Sequence, residues 1–201
     1  MLILASSSPR RRELLEQIGV TYRVQAVDVD ETPLPGEAPR AFAERMALAK
    51  ARAGWMAQSS GLPVLGADTV VTLDGVILGK PADRDEALHM LGRLSGNTHR
   101  VLSAVALVHG DREALKCAET RVRFRTLSPR EISDYWASGE PADKAGAYGI
   151  QGLGALFVEH IEGSYTGVVG LPLFETGQLL EAFGVAHGGH GAAASKEMQT
   201  T

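Results

Sequence analysis

The residues of this sequence best suited to chemistry are a run of arginines, an aspartate among apolar residues, and a few further carboxylates and lysines. Arg10, Arg11 and Arg12 follow a Ser-Pro pair, which begins helices because serine caps the first turn and proline fits it. A helix start carries partial positive charge, so three arginines there are repelled by it and by one another. The second Ser-Pro pair is followed instead by Glu131, whose negative charge suits a helix start. Two interpretations are open: a solvated basic turn, or a phosphate site built from the serine-rich turn at Ser8, its backbone N–H groups and the arginines.

Asp68 is the carboxylate whose surroundings in the sequence are least compatible with a free charge. Apolar residues flank it at positions 64–65 and 70–71, so its side chain must be paired or must face a cavity. One interpretation is an ion pair or a turn cap at a break in a strand, and the other is a metal ligand or general base. The sequence alone leaves both open.

The remaining carboxylates and lysines give weaker signals. Asp28, Asp30 and Glu31 precede a proline and by themselves indicate a solvated acidic loop. Lys50 borders the apolar stripe of a predicted helix, which is typical of a lysine whose stem packs while its amine reaches water. Lys80 lies between a glycine and a proline and is a better candidate, because the chain there is stiff and exposed.

Apolar periodicity predicts a mixed α/β fold, a twisted sheet flanked by helices, around these residues. Strands are predicted at 2–5, 22–27, 98–109, 113–127 and 156–160, with a hairpin at 64–78 that turns at Asp74-Gly75. Five helices are predicted. Three begin at Ser8, Asp83 and Ser128, another includes Phe42, and the last ends near Phe183. Loops are predicted at 140–154 and 163–172. Residues 1–186 are expected to form the domain, and residues 187–201, which lack an apolar period, a disordered tail.

Length and composition indicate one globular domain. The chain has 201 residues, of which 44% are hydrophobic and 22% charged, enough for a core and for solubility. Its net charge of −4 lacks the broad positive field of nucleic-acid-binding domains, so nucleic acid is not an expected partner. A single cysteine excludes an internal disulfide, and no apolar run approaches the ~20 residues that cross a bilayer. We therefore expect a cytoplasmic protein with no membrane partner.

Several segments resemble the motifs of one known family. They are ASSSPRR at 5–11, GADTVV at 66–71, GKP at 79–81, DKAGAYGIQG at 143–152, and GSY through VGLP at 163–172. In this order they are similar to the blocks of the Maf family of nucleoside triphosphate pyrophosphatases, and the likeness spans residues 2–184. A Ser-Pro-Arg-Arg run alone is a weak signal, whereas the ordered set is specific.

The resemblance implies an enzyme with an inosine-triphosphatase-like α/β fold and a cleft between two lobes. The implied reaction is hydrolysis of dTTP and UTP to the nucleoside monophosphate and pyrophosphate. Whether modified pyrimidine nucleotides are also substrates is left open by the resemblance. The resemblance places the proton acceptor on Asp68 and further functional side chains on Arg11, Lys50 and Lys80. Glu31 and Asp68 would hold a divalent cation, Mg²⁺ or Mn²⁺. A homodimer is also implied.

The resemblance further places base selection on Arg10, Thr69 and Gln151, all three of which match the subfamily that acts on dTTP and UTP. Ser8 belongs to the turn that would bind the phosphates. A glutamine amide offers one donor and one acceptor, as the N3–H and a carbonyl of thymine or uracil require. The alternative function is a nucleotide- or nucleic-acid-binding regulator of cell division that does not turn over its ligand.

Two other features are interpreted as structural. Arg121, Arg123 and Arg125 alternate along a predicted strand, which favours a solvated basic sheet face over a nucleic-acid contact. Cys117 lies in the same strand and is predicted to be a small core or surface residue.

Overall fold

The structure, a computed structural model, describes residues 1–188. Its strands are β1 (Leu2–Leu4), β2 (Tyr22–Val24), β3 (Val64–Leu73), β4 (Val76–Leu78), β5 (Thr98–His109), β6 (Arg112–Phe124) and β7 (Val158–Glu162). Its α-helices are α1 (Pro9–Gln17), α2 (Pro39–Met56), α3 (Arg84–Leu94), α4 (Pro129–Ala137), α5 (Tyr165–Val169) and α6 (Leu173–Ala182). Short 3₁₀ segments lie at Glu140–Asp143, Ala145–Ala147 and Leu153–Phe157.

All seven strands join one sheet in the order β2-β1-β3-β5-β6-β7, with β4 paired to β3 off that path. Strand β1 runs parallel to β2 and β3, and the other pairings are antiparallel. One edge of β3 pairs with β5 along most of its length. Its other edge pairs with β1 at residues 64–65 and with β4 at residues 71–73. Within the described chain, the middle of β3 is therefore open on that edge, and Asp68 lies there.

The two faces of the sheet pack against different helices, because side chains alternate along each strand. In β5, residues 102, 104, 106 and 108 pack with α2, whereas residues 101, 105 and 107 pack with α1, α3, α4 and α6. Asp68 pairs in register with Ala104 and so shares the face that α2 covers. Thr69 pairs with Ser103 and lies on the opposite face.

The predicted mixed α/β fold is confirmed: the strands form a single sheet with helices packed against both faces. The hairpin turn is confirmed at Asp74 and Gly75, whose φ angles of 54° and 79° are those of a two-residue turn. Asp83 caps α3 by accepting from the backbone N–H of Glu86 at 2.9 Å. Ser128 and Glu131 form the predicted capping box of α4. These local signals succeeded because neighbours along the chain decide them.

Other predictions were wrong in detail. The strand expected at 156–160 is β7, at Val158–Glu162, and the strand expected at 22–27 ends at Val24. The segment expected to be a loop at 163–172 contains the short helix α5.

Most of the tail expected at 187–201 lies outside the described residues; Gly188 is described, and its N–H donates to the carbonyl oxygen of Ile18 at 2.7 Å. No helix of residues 1–188 is both long and apolar enough to span a bilayer.

Candidate active site

A cleft of about 1000 Å³ opens at the unpaired edge of β3. The ends of β1 and β4 flank it, and α1, α2 and the glycine-rich segment after α4 contribute its other walls. All of the site residues predicted from the sequence line this cleft: Ser8, Arg10, Arg11, Glu31, Lys50, Asp68, Thr69, Lys80 and Gln151. Tertiary structure thus brings to one place residues that are up to 143 positions apart in the chain, from Ser8 to Gln151.

Lys50 lies between two carboxylates at the floor of the cleft. Its Nζ donates to Oδ1 of Asp68 at 2.7 Å and lies 2.6 Å from Oε1 of Glu31. The side chains of Lys50 and Asp68 are 12% and 13% exposed, whereas that of Glu31 is 57% exposed. A lysine at the border of an apolar stripe typically extends its amine into water. Lys50 does not, because its amine is paired with two carboxylates inside the cleft.

The ion-pair interpretation of Asp68 is confirmed, and its carboxylate also faces a cavity. Its role as a metal ligand or general base stays a prediction. Partial burial acts to raise the pKa of Glu31, but the hydrogen bond and charge of Lys50 hold it below its usual value. The charges of Lys80 and Arg11 act in the same direction. The cleft therefore keeps Glu31 ionised.

The acidic loop that carries Glu31 is tied to α2 through Arg45. The guanidinium of Arg45 donates to both carboxylate oxygens of Glu37, at 2.6 and 2.7 Å. It also donates to the carbonyl oxygen of Thr32 at 3.1 Å. The loop is exposed, as predicted, but it is anchored: α2 supplies both Arg45, which holds the loop, and Lys50, which contacts Glu31.

Arg11 points from the start of α1 into the cleft. Its Nε donates to the carbonyl oxygen of Gly170 at 2.9 Å and its Nη1 to Oγ of Ser6 at 3.1 Å. Burial lowers the pKa of Arg11, and the charge of Asp68 opposes that effect. For Arg11 the interpretation as a solvated basic turn is therefore wrong.

The rest of the basic turn is arranged differently from the sequence expectation. Ser8 occupies the N-cap position, but within residues 1–188 its side chain makes no capping hydrogen bond. Its backbone N–H instead donates to Oγ of Ser6 at 3.2 Å. Arg10 pairs with Asp143 at 3.3 Å, across the mouth of the cleft. Ser6, which the sequence analysis did not single out, thus links the serine turn to Arg11.

Thr69 faces the cleft from the other side of β3. Its hydroxyl lies 3.2 Å from Oγ of Ser103 and donates to the carbonyl oxygen of Gly170 at 3.3 Å. Gly170, with φ 138°, therefore holds both Thr69 and Arg11 through one carbonyl oxygen. A side chain is rarely tolerated at that φ, which accounts for a glycine here.

Gln151 is exposed on a loop, residues 149–154, that borders the cleft. Two residues that contact this loop, Tyr135 and Glu140, were missed by the sequence analysis. Asp143 and Lys144 lie within a motif quoted above but were assigned no role; they pair with each other at 2.7 Å in the cleft wall. No local pattern marks Glu140, because the two backbone groups of the loop that bind its carboxylate follow it at a distance of 13 and 14 residues.

The cleft offers a pair of carboxylates to a metal ion. Residues 1–188 contain no cluster of three or more His, Cys, Asp or Glu side chains that could hold a metal by themselves. Glu31 and Asp68 both lie within 2.7 Å of the same lysine nitrogen, so their carboxylates converge. Mg²⁺ is commonly bound by one or two carboxylates, with phosphate oxygens and waters completing the shell. The donor set therefore fits an ion that arrives with a phosphate ligand.

The features interpreted as structural bear no relation to the cleft. Arg121, Arg123 and Arg125 pair with acidic side chains on neighbouring elements, as expected of a solvated sheet face. Burial raises the pKa of the Cys117 thiol to about 11, so little thiolate forms at neutral pH. Neither feature supports a second reactive site.

Comparison with known proteins places these observations in a family. A family model described as Maf-like protein matches residues 1–183. The chain is 56% identical over 196 residues to the dTTP/UTP pyrophosphatase of Aromatoleum aromaticum, which covers 91% of this chain and 95% of the relative. It is 55% identical over 194 residues to the dTTP/UTP pyrophosphatase of Alkalilimnicola ehrlichii, with 94% and 96% covered.

Among solved structures, the chain matches a nucleoside-triphosphatase / dITP/XTP pyrophosphatase from Mycobacterium abscessus with a TM-score of 0.42 and 22% identity, over 61% of this chain and 73% of that one. The motifs that suggested the family lie within the stretch that the family model matches. On the strength of that model and of the relatives that align along nearly its whole length, the chain belongs to the Maf-like protein family.

Proposed function

We propose that this protein hydrolyses nucleoside triphosphates, dTTP and UTP in particular, to the nucleoside monophosphate and pyrophosphate. The observation that carries the proposal is the cleft itself, in which Lys50 bridges Asp68 and Glu31 while Arg11 and Lys80 line the same cavity. A triphosphate needs several cations because one divalent ion leaves part of its charge uncompensated. The relatives named dTTP/UTP pyrophosphatase support the choice of substrate.

In the proposed mechanism, Asp68 accepts a proton from the attacking water. Its Oδ1 accepts from Lys50, and within residues 1–188 its Oδ2 accepts no hydrogen bond, so one oxygen stays free for water. The water oxygen forms a bond to phosphorus, the bridging bond between the α and β phosphates breaks, and its electron pair leaves with pyrophosphate. Arg11, Lys50 and Lys80 stabilise the charge that moves onto the leaving group.

Glu31 and Asp68 would hold the divalent cation, Mg²⁺ or Mn²⁺, beside the phosphates. When bound, such an ion polarises phosphoryl oxygens and lowers the pKa of water. The contribution of the chain is to hold the two carboxylates close together and to keep Glu31 ionised. Lys50 does this, since its amine lies between the two carboxylates and offsets their mutual repulsion.

Base selection is proposed to rest on Arg10, Thr69 and Gln151, which line one cleft but make no hydrogen bonds to one another within the described chain. The amide of Gln151 can pair with the N3–H and a carbonyl of thymine or uracil. Modified pyrimidines that keep these two groups are included in the proposal. A homodimer and a cytoplasmic location stay predictions.

The function is tested by ³¹P NMR of the purified protein with dTTP or UTP and Mg²⁺. Pyrophosphate and the monophosphate are the expected products. Release of orthophosphate, or no turnover of any triphosphate, would contradict the proposal. The alternative, a regulator without turnover, is not favoured, because the relatives are named as enzymes. Such a regulator would bind the nucleotide stoichiometrically in the same experiment and release no product.

Replacing Asp68 by asparagine tests the proton acceptor. Asp68→Asn keeps the size of the side chain but removes its charge, so the turnover number should fall by about 10²–10⁴-fold, the usual contribution of a general base. Nucleotide binding, measured by calorimetry, should stay detectable. The matched control is Asp134→Asn on α4, which should turn over substrate normally; within residues 1–188 the exposed carboxylate of Asp134 pairs only with Arg130. Near-normal rates in Asp68→Asn would refute the assignment.

A further inference from the structure

The loop that carries Gln151 is bound at its end to the carboxylate of Glu140 and at its start to a tyrosine that contacts the same carboxylate. The backbone N–H of Leu153 donates to Oε2 of Glu140 at 2.8 Å, and that of Gly154 donates to Oε1 at 3.1 Å. These two bonds anchor the end of the loop. Gln151 lies two residues before the first of them and is itself exposed.

The start of the loop reaches Glu140 through a tyrosine. The hydroxyl of Tyr135 donates to Oε1 of Glu140 at 2.7 Å and accepts the backbone N–H of Gly149 at 3.0 Å. Tyr135 is buried on α4, so this hydroxyl is held by the core of the protein. Both ends of the loop therefore converge on the same pair of side chains.

The loop approaches Glu140 too closely for side chains at its glycines. A Cβ on Gly152 would overlap Oε2 of Glu140, and one on Gly154 would lie 2.7 Å from the hydroxyl of Tyr135. Contacts this short force a displacement. The glycines of the loop thus have a packing reason: they let the backbone wrap around the carboxylate.

The charge of Glu140 strengthens this arrangement. Burial acts to raise its pKa, but the hydrogen bonds from Tyr135, Leu153 and Gly154 hold the pKa below its usual value. The group is therefore an anion at neutral pH, and hydrogen bonds to a carboxylate are about twice as strong as those between neutral groups. An anion that loses the loop would lose most of its partners.

The segment that follows Glu140 also holds Arg10. The amine of Lys144 donates to the backbone carbonyl oxygen of Glu140 and to Asp143, both at 2.7 Å. Asp143 in turn pairs with Arg10 at 3.3 Å. Two of the three proposed base-selecting residues, Arg10 and Gln151, are thus positioned from the short stretch between Glu140 and Lys144.

Discrimination between uracil and cytosine requires such a frame. A free glutamine amide can rotate by half a turn, which exchanges its donor and acceptor, and it can then pair with cytosine as well as with uracil. Selection must therefore come from a loop whose N–H and C=O groups, and whose glutamine, have a fixed direction. A loop of this kind without anchors would adapt to either base.

We propose that Glu140 is a specificity-determining positioning residue, which acts through the loop at 149–154 and does not touch the reacting phosphates. The inference rests on the proposed function, in which Gln151 reads the base. Without the carboxylate, the loop loses its common anchor and the protein loses its preference for uracil and thymine over cytosine. The triphosphate chemistry at Asp68 and Lys50 is retained.

The test is Glu140→Gln, which keeps the shape of the side chain but turns an NH₂ group toward backbone N–H donors. The ratio of kcat/KM for UTP to that for CTP should fall by about tenfold or more. The fall should come mainly from a higher KM for UTP, with kcat changed much less. Tyr135→Phe, which removes the hydroxyl that joins Gly149 to Glu140, should act in the same direction and serves if the first variant does not fold.

Glu131→Gln is the matched control. Glu131 also accepts a backbone N–H, that of Ser128, and pairs with Arg125, but it caps α4 outside the cleft. The substitution should lower the melting temperature and leave the ratio of kcat/KM for UTP to that for CTP unchanged. A folded Glu140→Gln whose ratio stays within about twofold of the wild type overturns the inference, as does an equal fall in kcat on both substrates. A wild-type protein that releases no pyrophosphate refutes the proposed function, which is a different result.

Discussion

At the scale of single residues, the site depends on one lysine shared by two acids. Lys50 contacts Asp68, which is mostly buried, and Glu31, which is mostly exposed. Removing the cation would leave two carboxylates facing each other, and like charges at short range resist joint ionisation. Lys50 therefore has two roles in the proposal: it preorganises the acids before substrate arrives and supplies positive charge to the phosphates afterwards.

Replacing Lys50 by methionine should change the pH dependence of the reaction. Lys50 holds the pKa of Glu31 below its usual value, so this carboxylate stays ionised until the pH falls through that lowered pKa. In Lys50→Met the pKa of Glu31 should rise, and the acid limb of the kcat/KM profile should move to higher pH. The measurement is kcat/KM from acidic to neutral pH. The control Lys116→Met, on β6, should keep the wild-type limb.

The same interaction sets the sign of the stability effect. Because the folded state lowers the pKa of Glu31, its ionised form stabilises the fold above the pKa of the unfolded chain. That contribution is lost as the pH falls through the folded-state pKa.

An acid limb of the kcat/KM profile that does not move in Lys50→Met would show that the lysine does not control the ionisation of Glu31.

Residue identity alone marked part of this site. Asp68 stands out because a charge between apolar residues needs a reason. Glu31 and Lys50 carry no such signal: an acid in a proline-rich loop and a lysine at a helix border are ordinary, and only the family resemblance selected them. Glu140 escaped notice because its partners come from a loop that folds back on it.

At the scale of elements, the site requires α2 and β3 to lie very close together. A Cβ on Gly66 of β3 would overlap the backbone of α2 at Ala47 and Ala51. That close approach brings the amine of Lys50, on α2, to Asp68, on β3. The alternation of β3 decides the rest, because Asp68 lies on the face that α2 covers.

Gly66→Ala should therefore separate the two elements. Because the added methyl group meets rigid backbone, we expect a loss of about 1–3 kcal/mol in the free energy of unfolding, as for other overpacked sites. Turnover should fall as well, since a shift of α2 moves Lys50 away from Asp68. Chemical denaturation and the pyrophosphate assay measure the two effects.

Gly92→Ala is the control for this substitution. Gly92 lies in α3, and a Cβ there would meet nothing within 4 Å. The change should stabilise the protein by about 0.5–1 kcal/mol, because alanine favours the helix, and should leave turnover unchanged. A Gly66→Ala protein as stable as the wild type would contradict the close-packing argument.

At the scale of the whole molecule, the cleft joins parts of the chain that are distant in sequence. The start of α1, the acidic loop, α2, the middle of β3 and the loop at 149–154 all face it. Ligand binding should therefore stabilise the entire fold and not one segment. The expectation can be tested because binding to the native state alone raises the free energy of unfolding.

An unreactive substrate analogue should raise the melting temperature in the presence of Mg²⁺. With α,β-imido-dUTP at about a hundred times its Kd, binding contributes about 2.7 kcal/mol, or roughly 5–10 °C for a chain of this size. Chelation of the metal should remove most of the shift and, with dTTP or UTP, should abolish turnover until Mg²⁺ or Mn²⁺ is restored. An equal shift with and without chelator would contradict the proposed metal dependence.

The sequence by itself determined the local structure and the family. A nearly continuous apolar run at 101–108 specified β5, the Asp74-Gly75 pair specified the hairpin turn, and Ser128 with Glu131 specified the start of α4, because each depends on neighbours along the chain. Ordered motifs identified the family. The function of several individual residues was not determined in this way, since the same residue types occur on any protein surface.

Tertiary structure decided how those residues meet. The amine of Lys50 between Asp68 and Glu31, the guanidinium of Arg11 on the carbonyl oxygen of Gly170, and the loop around Glu140 all join segments that are far apart in the chain. The physical reason is that an ion pair or a hydrogen bond depends on distance and direction in space, whereas spacing along the chain constrains only near neighbours. Sheet register and helix packing supplied those distances.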